Sequence, residues 1–311
     1  MNRASVWGAF VLLSLVWGSS FLFIRLGLRQ LSPESLVASR LVIGAIAMWV
    51  IAWPRRRRLG LSLGVLPFAF VIASVNTTIP FLLIAWGEQS TTSGMAAVLN
   101  STMPIFAVLI AGALLKDEPV TRRRLLGVAL GLAGVLVLAS RDLGIGAAGL
   151  PQLAGQGEEL LGAISYAIGP ILIRRWLPSI PSLGLAAATL TIAAVEALII
   201  SLVFGPPPLL SLHPVTILSV VWLGVLGSSL GYLLYYFIIQ SWGAGRGTLV
   251  AYMLPIVGLA LGAVVLGEPL EWHIVGGSAL VVLGVVLASM VGRGKGTVVA
   301  KEQITVEAAQ S

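Results

Sequence analysis

The chain has 311 residues, of which 58% are hydrophobic and only 10% are charged, and its mean hydropathy is +1.01. This composition excludes an ordinary soluble globular domain and indicates a protein whose solvent is lipid. Because the chain contains no cysteine, disulfides, thiol catalysis and sulfur-ligated metals are excluded. The net charge of +7 does not indicate nucleic acid binding, since the cations occur in short runs between apolar segments, as topology signals do.

Ten apolar stretches in the sequence are of the length that crosses a bilayer, and we predict one transmembrane helix in each. Their approximate bounds are 5–28, 33–53, 63–86, 90–115, 121–140, 157–177, 183–204, 213–239, 245–267 and 270–291. The first stretch has too long an apolar core for a removable signal peptide. Most of the 19 cations fall on one side when the N-terminus is placed in the cytoplasm, so both termini are expected there.

The stretch from Gly94 to Pro119 is repeated from Gly245 to Pro269, at an offset of 151 that becomes 150 after one deletion. Such a duplication in a membrane protein is typical of transporters with a site between two halves. Five helices per repeat is an odd number, so the second repeat enters the membrane from the opposite face. We therefore predict an all-α integral membrane protein of ten transmembrane helices in two inverted five-helix repeats. The predicted parts are the first repeat 1–143, an external linker 144–157, the second repeat 158–292 and a disordered cytoplasmic tail 293–311.

Both repeats carry a proline within a transmembrane helix, Pro104 in the fourth and Pro255 in the ninth. A proline there breaks the helix and frees the carbonyl group four residues earlier, which belongs to Asn100 or Ala251. Lipid tolerates such a break where packing or a water-lined cavity satisfies the backbone. The recurrence in both repeats favours a cavity over a kink that serves packing alone.

Polar and aromatic residues are predicted at the same membrane depth on several helices, and we expect them to line an uncharged, aromatic cavity that binds the substrate. For the tyrosines of the eighth helix, a role as interface anchors is an equal alternative. These candidate residues are Trp17, Phe21, Asn76, Thr77, Asn100, Ser101, Tyr166, Tyr232, Tyr236 and Tyr252.

Two charged residues lie clearly within predicted spans, Arg40 in the second helix and Glu196 in the seventh. An ionisable residue inside a membrane is a functional hypothesis by default, so Glu196 is the candidate for coupling to protons. Against this role, the seventh helix is expected at the periphery of the bundle. The sequence contains no catalytic set, and we predict no enzyme activity, no cofactor and no metal site.

Together these features resemble the drug/metabolite transporter superfamily in its ten-helix EamA-type branch. They are WGSSFLFIRLGL near the start, the pair Ser39 and Arg40, the proline-broken fourth and ninth helices, and the Glu-Pro pairs that begin the fifth and tenth. The resemblance implies a bacterial inner-membrane exporter of small metabolites, with helices 1, 3, 4, 6, 8 and 9 around a central cavity. Within this branch the chain most resembles the aromatic amino acid exporters of the YddG type.

The expected function is export of aromatic amino acids by alternating access, with the small-molecule substrate and the lipid bilayer as partners and no nucleic acid. An aromatic cavity suits the side chain of such a substrate, and broken-helix backbone suits its charged ends. Export of other amino acids or drugs is the alternative within the superfamily. A non-transporting scaffold and a lipid flippase are the alternatives from other classes. The oligomeric state is left open.

Overall fold

The computed structural model describes residues 3–114, 121–144, 146–206, 211–242 and 250–289. These residues form helices that we number α1 to α10 in chain order. Their bounds are α1 Arg3–Gly27, α2 Pro33–Ala52, α3 Leu63–Ser90, α4 in two parts Ser93–Asn100 and Met103–Leu114, α5 Arg122–Gly144, α6 Leu150–Trp176, α7 Ser182–Phe204, α8 in three consecutive parts Pro214–Val221, Trp222–Leu230 and Gly231–Trp242, α9 Val250–Leu266 and α10 Trp272–Ser289.

The helices follow the ten predicted spans in order, which confirms the predicted all-helical membrane fold. Seven of the described helices are long and apolar enough to cross a membrane, and α9 and α10 are shorter apolar helices. Helix α6 has 27 residues and begins at Leu150, so residues 150–157, predicted as linker, form its first two turns. The predicted tail 293–311 lies outside the described residues.

The packing of the helices repeats when every helix number is shifted by five. Three contacts map onto themselves in this way: α2 with α7, α4 with α9, and α5 with α10. The other contacts map onto one another in pairs. The contacts of α1 with α9 and α8 correspond to those of α6 with α4 and α3, and the contact of α2 with α8 corresponds to that of α7 with α3. This pattern is what two copies of one five-helix unit produce when they pack about a two-fold axis.

Helices α5 and α10 approach each other closely through glycines. A Cβ atom added at Gly284 would lie 2.6 Å from the carbonyl oxygen of Gly127, and one added at Gly127 would lie 2.7 Å from the carbonyl oxygen of Gly284. Both distances are far below normal van der Waals contact, so the crossing requires the absence of side chains. Small residues at helix contacts are a general means of close packing in membranes.

Helix α4 is interrupted just before Pro104, where Ser101 and Thr102 form a turn between its two parts. The two hydroxyl groups donate to the carbonyl oxygens of Val98 and Leu99, each at 2.6 Å. The break predicted for the fourth helix is therefore present. The corresponding prediction for the ninth helix is wrong, because the α-helix continues from Val250 to Leu261 through Pro255.

Wide π-helical turns occur in α3 at Ser74–Thr78 and in α8 at Trp222–Leu230. The offset of 149 residues that aligns Trp17 with Tyr166 places the first of these segments on residues 223–227, inside the second. The two repeats therefore share this irregularity. A π turn disturbs the regular i to i−4 ladder and is frequent at functional sites.

Two acidic residues are fully buried, Glu88 near the end of α3 and Glu159 in α6. Their carboxyl oxygens have no hydrogen-bond partner among the described residues. A third acid, Glu268, accepts hydrogen bonds from the backbone N–H groups of Ser93 and Gly94 at 2.8 and 3.0 Å. This carboxylate satisfies free donors in the first turn of α4, where the helix dipole also favours a negative charge.

Candidate functional site

A central cavity lies between helices of both repeats and contains about 930 Å³ of empty space, including the part open to solvent. The part of this space in which the centre of a water-sized molecule fits is about 100 Å³, which is below the volumes of about 300–1,000 Å³ found for small-molecule sites. The lining comes from α1, α2, α3, α4, α6, α8 and α9. It consists of Trp17, Ser20, Phe21, Ile24, Arg40, Asn76, Phe81, Ile84, Asn100, Met103, Tyr166, Pro170, Gly227, Tyr232, Tyr235, Val250, Ala251 and Leu254.

Trp17 is held on one side of this cavity by α8. Its indole N–H donates to the carbonyl oxygen of Gly227 at 3.0 Å, a group within the π segment of that helix. The indole ring lies 5.2 Å from the ring of Tyr235 and 6.3 Å from that of Tyr232, measured between centroids. The hydrogen bond orients the indole, and its half-buried ring contributes to the cavity wall.

Backbone carbonyl groups in the π segment of α3 likewise accept hydrogen bonds from side chains of neighbouring helices. Tyr232 of α8 donates from its hydroxyl group to the carbonyl oxygen of Asn76 at 3.0 Å, and the same hydroxyl lies 3.1 Å from Oγ1 of Thr77. Ser165 of α6 donates to the carbonyl oxygen of Val75 at 2.6 Å. The hydroxyl groups of Tyr232 and Thr77 thus serve the backbone and each other, while the ring of Tyr232 lines the cavity.

The two residues whose carbonyl groups the prolines were predicted to free, Asn100 and Ala251, both line the cavity, on α4 and α9. Asn100 is buried, and its side-chain Nδ2 has no acceptor among the described residues. An unpaired amide donor at a cavity wall is able to bind an acceptor group of a ligand, because burial without a partner costs free energy.

Arg40 is the lining residue that the sequence identified as a membrane-buried charge but did not assign to the site. It is 4% exposed, and its guanidinium carbon lies 3.9 Å from the centroid of the Phe81 ring, in a cation–π contact. Its Nη2 donates to Oγ of Ser228 in a long bond of 3.4 Å. The predicted uncharged cavity is therefore wrong, since one cation lines it. The depth of Arg40 within the second helix was the sequence signal for this role. The sequence did not show that Arg40 faces the cavity.

Several other candidates lie away from this cavity. Ser101 is buried and donates to its own helix, while Tyr252 donates from its hydroxyl group to the carbonyl oxygen of Val285 in α10 at 3.2 Å. Neither residue lines the cavity, nor does either predicted break residue, Pro104 or Pro255. The side chain of Tyr236 lies outside the described part of the structure.

Glu196 lies at the contact between α7 and α3 and not among the cavity residues. Its carboxylate accepts hydrogen bonds from Ser74 at 2.6 Å and from Thr78, which are the first and last residues of the α3 π segment. Two hydroxyl donors satisfy this carboxylate, so the geometry connects it with the irregular turn of α3.

The arrangement is therefore an aromatic and apolar chamber with a few polar donors and one cation. Such a chamber suits recognition of a small amphiphilic molecule, in which the apolar body contacts the rings and a polar end meets the donors. Among the described lining residues there is no carboxylate and no histidine.

A model of the EamA-like transporter family matches the chain twice, at residues 6–140 and again at 159–290. The chain belongs to the EamA-like transporter family. The two matches cover the two halves of the chain, and they confirm the resemblance drawn from the sequence at the level of the superfamily branch.

Named relatives agree with this assignment over nearly their full lengths. The chain is 25% identical to the protein PagO of Salmonella typhimurium, covering 88% of this chain and 89% of that protein. It is 26% identical to a probable amino-acid metabolite efflux pump of the same organism, over 88% and 91% of the two chains. It is 27% identical to the uncharacterized inner membrane transporter YedA of Escherichia coli, over 92% and 90%.

A solved crystal structure shares the fold of this chain with a TM-score of 0.66, at 19% sequence identity and over 92% of this chain and 97% of the other. The family match makes the protein a membrane transporter of the EamA type. The aromatic substrate suggested by the narrower resemblance stays a prediction.

Proposed function

We propose that the protein exports small aromatic metabolites, with aromatic amino acids as the preferred substrates, across the bacterial inner membrane by alternating access. The observation that carries this proposal is the wall of the central cavity. Six aromatic side chains from four helices of both repeats line it, namely Trp17, Phe21, Phe81, Tyr166, Tyr232 and Tyr235.

The rings already adopt the geometries that aromatic pairs prefer. Phe81 and Tyr166 meet edge to face at a centroid distance of 6.2 Å, and Trp17 and Tyr232 do so at 6.3 Å. Such pairs contribute about 0.5–1.5 kcal/mol beyond the burial of area. A planar substrate ring that enters between these side chains gains contacts of the same kind, whereas a short aliphatic side chain does not.

The relatives support the substrate class and the membrane. One is named as a probable amino-acid metabolite efflux pump and another as an inner membrane transporter. The distribution of cations supports an orientation with both termini in the cytoplasm. Because both repeats contribute to the cavity, movement of one repeat against the other opens it to either side in turn.

The decisive experiment is flux of labelled tryptophan and threonine through proteoliposomes that contain the purified protein, with protein-free vesicles as the control. We expect tryptophan to move faster than threonine, and excess unlabelled phenylalanine to compete with it. Equal rates for the two amino acids would favour an exporter of broader substrates. Movement of a labelled phospholipid without amino acid flux would indicate a flippase, and the absence of both would indicate a scaffold.

A further inference from the structure

The Arg40 guanidinium is a buried cation that makes no direct ion pair with a described residue, and the buried Glu88, which interacts with it electrostatically, lies beyond ion-pair distance. No described carboxylate lies within ion-pair distance of it, since the ion pairs of the described residues join Glu271 to Arg141 and to His273. Among the described residues its guanidinium donates one hydrogen bond, the long one to Ser228, and its Nε has no acceptor. An unpaired buried charge is strongly unfavourable, so a site that keeps one is arranged to receive an opposite charge.

Asn100 offers a second unpaired donor in the same cavity. The residue is buried, with 7% of its surface exposed, and its Nδ2 has no acceptor among the described residues. Arg40 comes from the first half of α2 and Asn100 from the end of the first part of α4, so the two donors reach the cavity from separate helices. Two unpaired donors and no acidic side chain in the described lining indicate a ligand with acceptor atoms and a negative charge.

The chemistry of these groups selects among anions. A guanidinium group presents a planar fork that matches the two oxygens of a carboxylate. A phosphate monoester carries nearly two charges, and Arg40 is the only charged residue in the described lining. The remaining surface is mostly apolar and aromatic, which suits a hydrocarbon body. A monocarboxylate with an apolar body therefore fits this cavity better than a phosphate ester does.

We propose that Arg40 and Asn100 form a carboxylate subsite of the central cavity, and that the transporter recognises its substrate by a carboxylate rather than by an α-amino group. This proposal rests on the proposed function, because it assigns one end of the substrate to a place in the transport cavity. It extends the substrate class to aromatic monocarboxylates that lack an amino group. The reason is that the described lining holds a cation for the carboxylate but no carboxylate for an ammonium group.

The test compares 3-phenylpropionate with 3-phenylpropionamide, two probes with the same apolar body that differ in charge. Their affinities for the purified wild-type protein are measured by calorimetric titration in detergent. We expect the carboxylate to bind about 10- to 100-fold more tightly, as a hydrogen bond to a charged group predicts. L-phenylalanine is expected to bind about as tightly as 3-phenylpropionate. A ratio near one for the carboxylate and the amide would overturn the proposal.

Variants then connect the ratio to the named side chains. We expect Arg40→Gln to reduce the carboxylate-to-amide ratio to about one, and Arg40→Lys to give an intermediate value because it keeps the charge and loses the fork. Asn100→Ala is expected to reduce the ratio by about two- to twelvefold, because an amide N–H bonds a charged carboxylate more strongly than the neutral carbonyl oxygen of the amide probe. The matched control is Arg29→Gln, which removes an exposed arginine and should leave the ratio unchanged.

The outcomes separate this proposal from the proposed function. If Arg40 serves only the packing against Phe81 and Ser228, its substitution weakens both probes equally and the ratio remains, which would overturn the subsite. Should Arg40→Gln fail to fold, the wild-type ratio and the Arg40→Lys and Asn100→Ala variants decide. If the wild-type protein binds neither aromatic probe, the aromatic function fails. Hexanoate and hexanamide then test the subsite alone, and a ratio near one for that pair would overturn it too.

Discussion

Trp17 offers the sharpest test of aromatic recognition, because its two contacts are separable by substitution. The indole N–H is bonded to the carbonyl oxygen of Gly227, and the ring lines the cavity beside Tyr235. Trp17→Phe removes the donor and keeps an aromatic ring, whereas Trp17→Ala removes both. The first change is expected to cost about 1–3 kcal/mol of stability, because the carbonyl group loses its partner in a buried place.

For Trp17→Ala, recognition and packing predict different results. If the ring contacts the substrate, the variant loses about 0.5–1.5 kcal/mol of aromatic interaction beyond area burial, which is a decrease of roughly two- to twelvefold for tryptophan. Threonine transport should change less. If Trp17 is only a packing residue, the cavity left behind costs about 3–5 kcal/mol of stability, and transport of all substrates falls together.

The assay is flux of tryptophan and threonine through proteoliposomes at concentrations below saturation, alongside thermal unfolding in detergent. We expect Trp17→Phe to retain the preference for tryptophan with a lower melting temperature, and Trp17→Ala to lose the preference. A destabilised Trp17→Ala protein with both fluxes reduced equally would refute a role of this ring in recognition. Loss of the preference in Trp17→Phe to the same extent would assign it to the hydrogen bond with Gly227.

Three further predictions concern the helix packing, the coupling and the topology. Gly284→Leu should lower the melting temperature by forcing α10 away from α5, at a cost of about 1–3 kcal/mol of stability. The control is Gly276→Ala in the same helix, which should have no such effect because an added Cβ meets nothing within 4 Å there. Equal melting temperatures for the two variants would disprove the close crossing. Glu196→Gln should leave any dependence of flux on a pH gradient unchanged, because the carboxylate bonds to hydroxyls of α3 outside the cavity, and loss of that dependence would restore it as the proton carrier. In this cysteine-free chain, the single variants Arg57→Cys and Ala148→Cys should react with a membrane-impermeant thiol reagent from opposite sides of the membrane, and labelling from one side would contradict the inverted repeats.

Several residues that the sequence placed at one membrane depth meet at the central cavity. Trp17, Phe21, Asn76, Asn100 and Tyr166 line one cavity, because their shared depth follows from their positions along helices whose lengths a bilayer fixes, and their role in substrate binding stays a prediction. Tyr232 is a further member of this set. Residues at one depth are the ones able to meet at the centre of a bundle.

Depth did not determine which way each side chain points. Ser101 lies at the predicted depth, but its hydroxyl group bonds to the carbonyl oxygen three residues earlier, and Tyr252 bonds to Val285 of another helix. A hydroxyl group near a helix break is close to free carbonyl groups of its own backbone, which compete with a cavity for it. Depth alone therefore overestimates the set of binding residues.

The sequence by itself determined the lipid environment, the ten helices and the duplication, because hydropathy, segment length and repeated text are properties of the chain read in one dimension. Only the tertiary structure decided the environment of the buried charges. Glu88 and Glu159 lie near the ends of apolar stretches, where exposure is the default expectation, yet both are fully buried between packed helices. Arg40 meets the cavity because the packing of α2 against its neighbours turns that face of the helix inward. The rotation of a helix about its axis depends on contacts between segments far apart in sequence, and a pattern within one segment does not contain it.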